Sequence, residues 1–123
     1  MKSNKKILII AGGTGGHIYP GIAIADYLKA KGFIISWLGT KQGMENKLIE
    51  NKPYQKAMID ITGVRGKSIL SWLKLPFTLM VACTQCAKII QEEKPDIVIA
   101  MGGYVSFPGG LMARLMLKPL IVH

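Results

Sequence analysis

A doubly wound, parallel α/β sheet is the fold class this sequence predicts, on three observations. Short apolar runs alternate with helical runs in a βαβαβαβαβ order. The first run, Lys6–Ala11, is apolar at nearly every position, as a strand covered on both faces must be. A turn with four glycines in five residues (12–16) comes directly after it, at the point where such sheets place their ligand loops.

Each element carries its own marks. After the 12–16 loop, Pro20 to Lys31 reads as a helix with Ile22, Ala25 and Leu28 on one face and Gly32 as its stop. Phe33–Leu38 is a second strand. Met44–Asn51 is a short helix closed by Pro53, and Lys56–Ile61 a third strand. A basic glycine loop, 62–66, leads into a long helical stretch from Ser68 to about Glu93. Ser68 suits its N-cap, and Pro76 is expected to kink or divide it. Asp96–Met101 is a fourth strand, 102–106 a second glycine loop, Pro108–Leu117 a helix, and Leu120–Val122 the start of a fifth strand.

Composition narrows the function classes. The chain has 123 residues, half of them hydrophobic and 19% charged, with a mean hydropathy of +0.30. That suits one globular domain and excludes a disordered or collagenous chain. Lys and Arg number 16 against 7 Asp and Glu, a formal charge of +9, which points to an anionic partner such as a phosphate, a nucleic acid or an acidic lipid surface. Two cysteines exclude a disulfide-dense module. The first apolar run is too short for a signal peptide, so a cytoplasmic location is expected. The stretch Ile69–Cys83 contains Lys74 and Pro76 and falls short of the ~20 apolar residues of a membrane span. The chain stops at His123 inside an apolar strand, which leads us to expect the first part of a longer protein.

Gly12-Gly13-Thr14-Gly15-Gly16-His17 carries the strongest chemical signal. Glycines let a backbone approach a ligand closely, and a helix start offers free N–H groups and a positive dipole end. The bland alternative is a tight structural turn. The dinucleotide pattern fails, because Ile18 stands where Gly or Ala is needed and no acid occurs in Leu38-Gly39-Thr40 at the end of the second strand. Gly66-Lys67-Ser68 resembles the end of a P-loop, but Ile61 stands where its first glycine should be. Gly63–Lys67 is then either a solvated basic loop or an anion site. His17 lies at the mouth of the first glycine loop, where a helix N-terminus favours neutral imidazole and so a base.

The second glycine loop, 102–110, comes after the fourth strand and is expected at the same sheet edge, unless it serves only helix packing. Two such loops facing one crevice suit a ligand larger than phosphate, and Tyr104 could pack against a sugar. Cys83 and Cys86 form a C-x-x-C match deep in a helical run with no second ligand pair, so they read as core or surface thiols, and no metal site is expected. Ile69, Leu70, Trp72, Leu73, Leu75, Phe77, Leu79 and Met80 put large apolar groups nearly all round one helix, beside Arg65, Lys67 and Lys74. That fits a segment dipping into an anionic bilayer surface or, alternatively, a contact with a missing domain or subunit.

Residues 9–21, from Ile9 through the glycine loop to Pro20-Gly21, resemble the N-terminal signature of the bacterial cell-wall glycosyltransferases that move N-acetylglucosamine onto lipid-linked muramyl-pentapeptide. Trp37-Leu38-Gly39-Thr40, Gly63-Val64-Arg65-Gly66-Lys67 and Met101-Gly102-Gly103-Tyr104-Val105-Ser106 are similar to that family's next landmarks, in the same order. The resemblance covers essentially the whole chain. It implies a GT-B architecture of two Rossmann-like domains, with residues 1–123 most of the acceptor-binding first domain and the UDP-sugar domain absent. The implied reaction moves N-acetylglucosamine from UDP-N-acetylglucosamine to the C4 hydroxyl of the muramyl sugar of lipid I (undecaprenyl-pyrophosphoryl-MurNAc-pentapeptide), with inversion, giving lipid II. By the same resemblance, His17 is the candidate base, and Thr14, Gly15 and Gly16 touch the donor. Gly13, Gly102, Gly103 and Tyr104 are candidates for the acceptor diphosphate and sugar. Ile69, Trp72, Leu73, Lys74 and Phe77 would form a membrane patch at the cytoplasmic face of the inner membrane. No cofactor, no catalytic metal and no nucleic acid partner are implied.

Two rival readings stand beside this one. One is a non-catalytic module for an anionic ligand or membrane surface. The other is a nucleotide-dependent oxidoreductase domain, which Ile18 and the absent acid already weaken.

Overall fold

The computed structural model describes residues 5–12, 15–41, 45–59, 69–102 and 106–122, with residues 15–17 and 69–78 described as backbone. Their elements are β1 (Lys6–Ala11), α1 (Gly15–Ala30), β2 (Ile34–Thr40), α2 (Glu45–Leu48), β3 (Gln55–Ile59), α3 (Ile69–Glu93), β4 (Ile97–Gly102), α4 (Ser106–Leu115) and β5 (Leu120–Val122). The strands form one parallel sheet in the order β3-β2-β1-β4-β5. The doubly wound α/β expectation therefore holds.

The reversal of strand order between β1 and β4 decides where the helices lie. The chain winds outward from β1 to β2 and outward the other way from β4 to β5, so right-handed crossovers put α1 and α4 on opposite faces. The core clusters agree. Ile7, Ile9, Ala11, Ile35 and Trp37 pack with Ile18 and Ala25 of α1. Leu8, Ile10, Leu38 and Val98 pack with Ala82, Cys86 and Ile90 of α3 and Ala113 of α4. Alternate side chains of β1 thus serve two cores, which is why its sequence shows no polar face.

Two glycines let the helices settle. A Cβ on Gly21 of α1 would stand 2.9 Å from Trp37 Cη2, and a Cβ on Gly109 of α4 would stand 2.8 Å from Ile10 Cδ1. Each helix meets the sheet through a missing side chain, one from either face. Gly109 and Gly110 therefore belong to α4 and its packing, which shortens the second glycine loop.

Element ends differ from expectation in instructive ways. The α1 helix begins at Gly15 rather than Pro20, so His17 lies in its first turn. First-turn residues owe no intrahelical N–H bond, so glycines there cost only their entropy. Pro20 then falls inside the helix and leaves the Gly16 carbonyl without its i+4 donor. Gly32 stops α1 as expected: its φ is 98°, its N–H bonds Lys29 O and the Phe33 N–H bonds Leu28 O. Pro76 does not divide α3, which runs unbroken from Ile69 to Glu93. Among the described residues no helix is long and apolar enough to cross a membrane. Cys86 lies in the core and Cys83 is half-buried, both as free thiols. Burial, with Cys83 nearby, pushes the Cys86 thiol up to about 12, so it stays a neutral packing group.

The α4 helix ends in the same bonding pattern as α1, Leu117 N–H to Arg114 O and Lys118 N–H to Ala113 O, but on a leucine with φ 59°. Leu117 is 90% exposed and packs against little, so its Cβ strain goes uncompensated. Leu117→Gly is expected to stabilise the protein by about 0.5–1 kcal/mol in denaturant unfolding, because the left-handed conformation costs glycine nothing.

Candidate functional site: the β1–β4 crevice

The parallel pairing of β1 with β4 sets the site. Ile10 pairs with Ala100 and Ala11 with Gly102, so the chain leaves both strands at one rim. At that rim α1 starts on one face and α4 on the other, and both helix N-termini flank the switch point. In open α/β sheets this crevice takes the ligand, and helix starts supply N–H groups for an anion. The expectation that both glycine loops share an edge is met at their first described residues. Gly13, Thr14, Gly103 and Tyr104 lie outside the described residues, as do Arg65, Lys67 and His123. Gly15, Gly16 and His17 occupy the first turn of α1.

Three groups that sequence patterns do not single out build this rim. Trp37, fully buried on β2, donates from Nε1 to the Ala11 carbonyl at 3.1 Å. That carbonyl ends β1, one residue before the first glycine turn. The indole is itself held by stacking on Tyr54, with ring centroids 6.0 Å apart and planes 9° from parallel.

Ser106, the first residue of α4, is the second. Its Oγ accepts the Gly102 N–H at 2.8 Å and lies 2.6 Å from Gly102 O and 3.1 Å from Ile10 O. The Gly102 amide, expected among the anion's donors, is thus already given to Ser106. Gly102 has φ 127°, a conformation that favours glycine, so it shapes the exit from β4.

Glu45 is the third. It is fully buried, and its Oε1 accepts from the Thr40 amide and from Thr40 Oγ1 at 2.8 Å. Asn46 Nδ2 donates to Thr40 O at 3.0 Å and to Lys41 O at 2.6 Å. An acid does therefore reach the end of β2, brought there by α2 rather than by the strand. Its Oε1 is bonded to Thr40, and a Cβ on Gly39 would stand 2.8 Å from its Cγ, so the carboxyl packs directly against the strand end.

On the α4 side, a pocket of about 440 Å³ opens beside the crevice, lined by Gly102, Ser106, Phe107, Leu111, Leu120 and Val122, among others. Its walls are apolar apart from Ser106 and Arg114. Among the described residues no group of three His, Cys, Asp or Glu side chains could hold a metal ion. Among the described residues this rim thus brings together the starts of α1 and α4, with an imidazole-bearing residue in the first turn of α1.

The chain is similar to known proteins. The model of the glycosyltransferase family 28 N-terminal domain matches residues 7–123. A protein of Nitrosospira multiformis named UDP-N-acetylglucosamine–N-acetylmuramyl-(pentapeptide) pyrophosphoryl-undecaprenol N-acetylglucosamine transferase is 50% identical over 117 residues, 95% of this chain and 33% of that protein. A protein of the same name from Colwellia psychrerythraea is 52% identical over 119 residues, 97% of this chain and 31% of its own length. The crystal structure of Acinetobacter baumannii MurG superposes with a TM-score of 0.84 at 38% identity, covering 97% of this chain and 34% of that one. The chain spans about a third of the length of these relatives.

Proposed function

Because the chain belongs to the glycosyltransferase family 28 N-terminal domain family, we propose that it forms the acceptor-binding part of a UDP-N-acetylglucosamine-dependent glycosyltransferase of peptidoglycan synthesis. The acceptor is lipid I and the product lipid II. The donor's uridine is held by a second Rossmann-like domain in the remaining two-thirds of such a protein. The reading rests above all on β1 and β4 ending at one rim at a switch point, each leading into a glycine-bearing stretch, in a chain half-identical to relatives named for this transfer.

The crevice suggests how the chemistry runs. The muramyl C4 hydroxyl attacks the anomeric carbon from the face opposite UDP, and the configuration inverts. His17, in the first turn of α1, takes the hydroxyl proton as the new bond forms. The amides of Thr14, Gly15 and Gly16 meet the departing UDP, where the helix start offsets its growing negative charge. Gly13, Gly103 and Tyr104 hold the acceptor's diphosphate and sugar, with Gly102 shaping their loop. No metal is required for this scheme. Incubating the full-length protein with UDP-N-acetylglucosamine and lipid I should yield the β-linked disaccharide lipid. No transfer, or equal transfer from unrelated nucleotide sugars, would overturn the reading.

On the same reading the protein sits peripherally on the cytoplasmic face of the bacterial inner membrane, through Ile69, Trp72, Leu73, Lys74 and Phe77 in the first turns of α3. Farther along α3, Met80 is 66% and Val81 54% exposed, and the chain's charge of +9 suits anionic headgroups. Replacing Trp72 and Phe77 together by Ser should lower binding to anionic liposomes about a hundredfold or more, since each buried aromatic contributes ~1.5–3 kcal/mol. Co-sedimentation equal to wild type would remove the patch from the proposal.

A further inference from the structure

Ser106 bridges the two strands of the crevice where their pairing slips. The register runs Ile7–Ile97, Leu8–Val98, Ile9–Ile99 and Ile10–Ala100, then jumps to Ala11–Gly102 and passes over Met101. An extra residue on one strand disrupts the ladder locally and re-aims the chain beyond it. At this bulge, Gly102 gives its N–H to Ser106 Oγ at 2.8 Å, and the same oxygen lies within hydrogen-bond distance of Ile10 O on the neighbouring strand, at 3.1 Å. One hydroxyl thereby joins the end of β4, the end of β1 and the first residue of α4. Its single proton is shared between Ile10 O and Gly102 O, the latter 2.6 Å away. Gly12, the first residue of the glycine run after β1, comes two residues after Ile10, and Gly102 is itself one of the bridged residues.

From this geometry we infer that Ser106 is a positioning residue of the crevice: its hydroxyl fixes the separation of the carboxyl ends of β1 and β4, and through them the placement of acceptor against donor. The inference deepens the proposed transfer and rests on it for its catalytic consequence. Alanine at 106 removes the bridge and leaves the strand ends to drift. Small misplacements of reacting groups are costly, so the loss should fall on kcat rather than on donor binding. Threonine keeps a hydroxyl on the same Cβ and should rescue most of the loss.

The test compares wild type, S106A and S106T in the full-length protein by steady-state transfer kinetics and by amide hydrogen exchange. S106A should lose about tenfold to a hundredfold in kcat with little change in the donor KM. Exchange should rise at the carboxyl ends of β1 and β4, while β2 and β3 stay protected. S106T should approach wild type in both. Wild-type exchange in S106A, faster exchange without a loss of rate, or an S106T as impaired as S106A would each overturn the inference. The exchange comparison does not depend on the reaction. A wild-type protein that transferred no sugar would sink the proposed function, and the bridge would still stand or fall on exchange.

Discussion

His17→Ala in the full-length protein should lower kcat by about two to four orders of magnitude, the usual contribution of a well-placed general base, and leave UDP affinity close to wild type. Position is the reason. The residue belongs to the first turn of α1, whose start lies against the end of β1 at the switch point. A base must reach the acceptor hydroxyl, and the acceptor is proposed to lie in this crevice. The uridine is proposed to lie in another domain, so removing the imidazole should not touch it. The expected signature is therefore a fall in kcat with UDP binding retained, measured by titration. Near-normal turnover would take His17 out of the base role. A parallel loss of UDP binding would instead mark it as a donor contact. His17→Gln keeps size and polarity without the basic nitrogen, and it should stay nearly as slow as alanine.

The sheet was legible because it rests on local patterns. Lys6–Ala11 is apolar on both faces, Gly32 stops a periodic helix, and glycine turns come after the strands that become β1 and β4. Strand alternation with helices then implies a parallel order, and both turns fall at one rim. Helix ends were harder. Gly15 and Gly16 look like loop residues, yet they open α1, since the first turn asks little of them. Pro76 suggested a break that α3 does not make. The supports of the crevice were least legible of all. Ser106 reaches Ile10 across 96 positions and Trp37 reaches Ala11 across 26, so no window of sequence shows either contact. Glu45 lies only five residues from Thr40, but its place against the strand end requires that residue 39 carry no side chain, which composition does not reveal. What could have pointed to Trp37 and Ser106 is their place inside landmarks: Trp37 opens Trp-Leu-Gly-Thr, and Ser106 closes the Met101–Ser106 run.

Trp37→Ala should destabilise the protein by about 3–5 kcal/mol, the range for deleting a large buried aromatic side chain. That is much of the ~5–15 kcal/mol a domain possesses. Three things are lost together. The indole is fully buried in the core on the α1 side, so a cavity opens beneath Gly21, whose backbone lies against the ring. The stacking on Tyr54 goes, and with it a support of the Tyr54–Asp26 hydrogen bond that ties α1 to the segment before β3. The Asp26 carboxyl is held below its ordinary value by the hydrogen bond from Lys52 and then by that from Tyr54, so the link is one the ionised form favours. Last, the Ala11 carbonyl loses its indole donor in a place closed to water. Trp37→Phe separates these losses. It keeps most of the ring area but cannot donate to Ala11, so its cost should be about 1–3 kcal/mol, that of an unpaired buried acceptor. Because Ala11 is the last residue of β1 before the first glycine turn, the phenylalanine variant should lose more activity than its modest unfolding would predict at room temperature. Denaturant unfolding and transfer kinetics on both variants decide the matter. A phenylalanine variant matching wild type in both would show that the indole serves only to fill space, and that the first turn is aimed by other contacts.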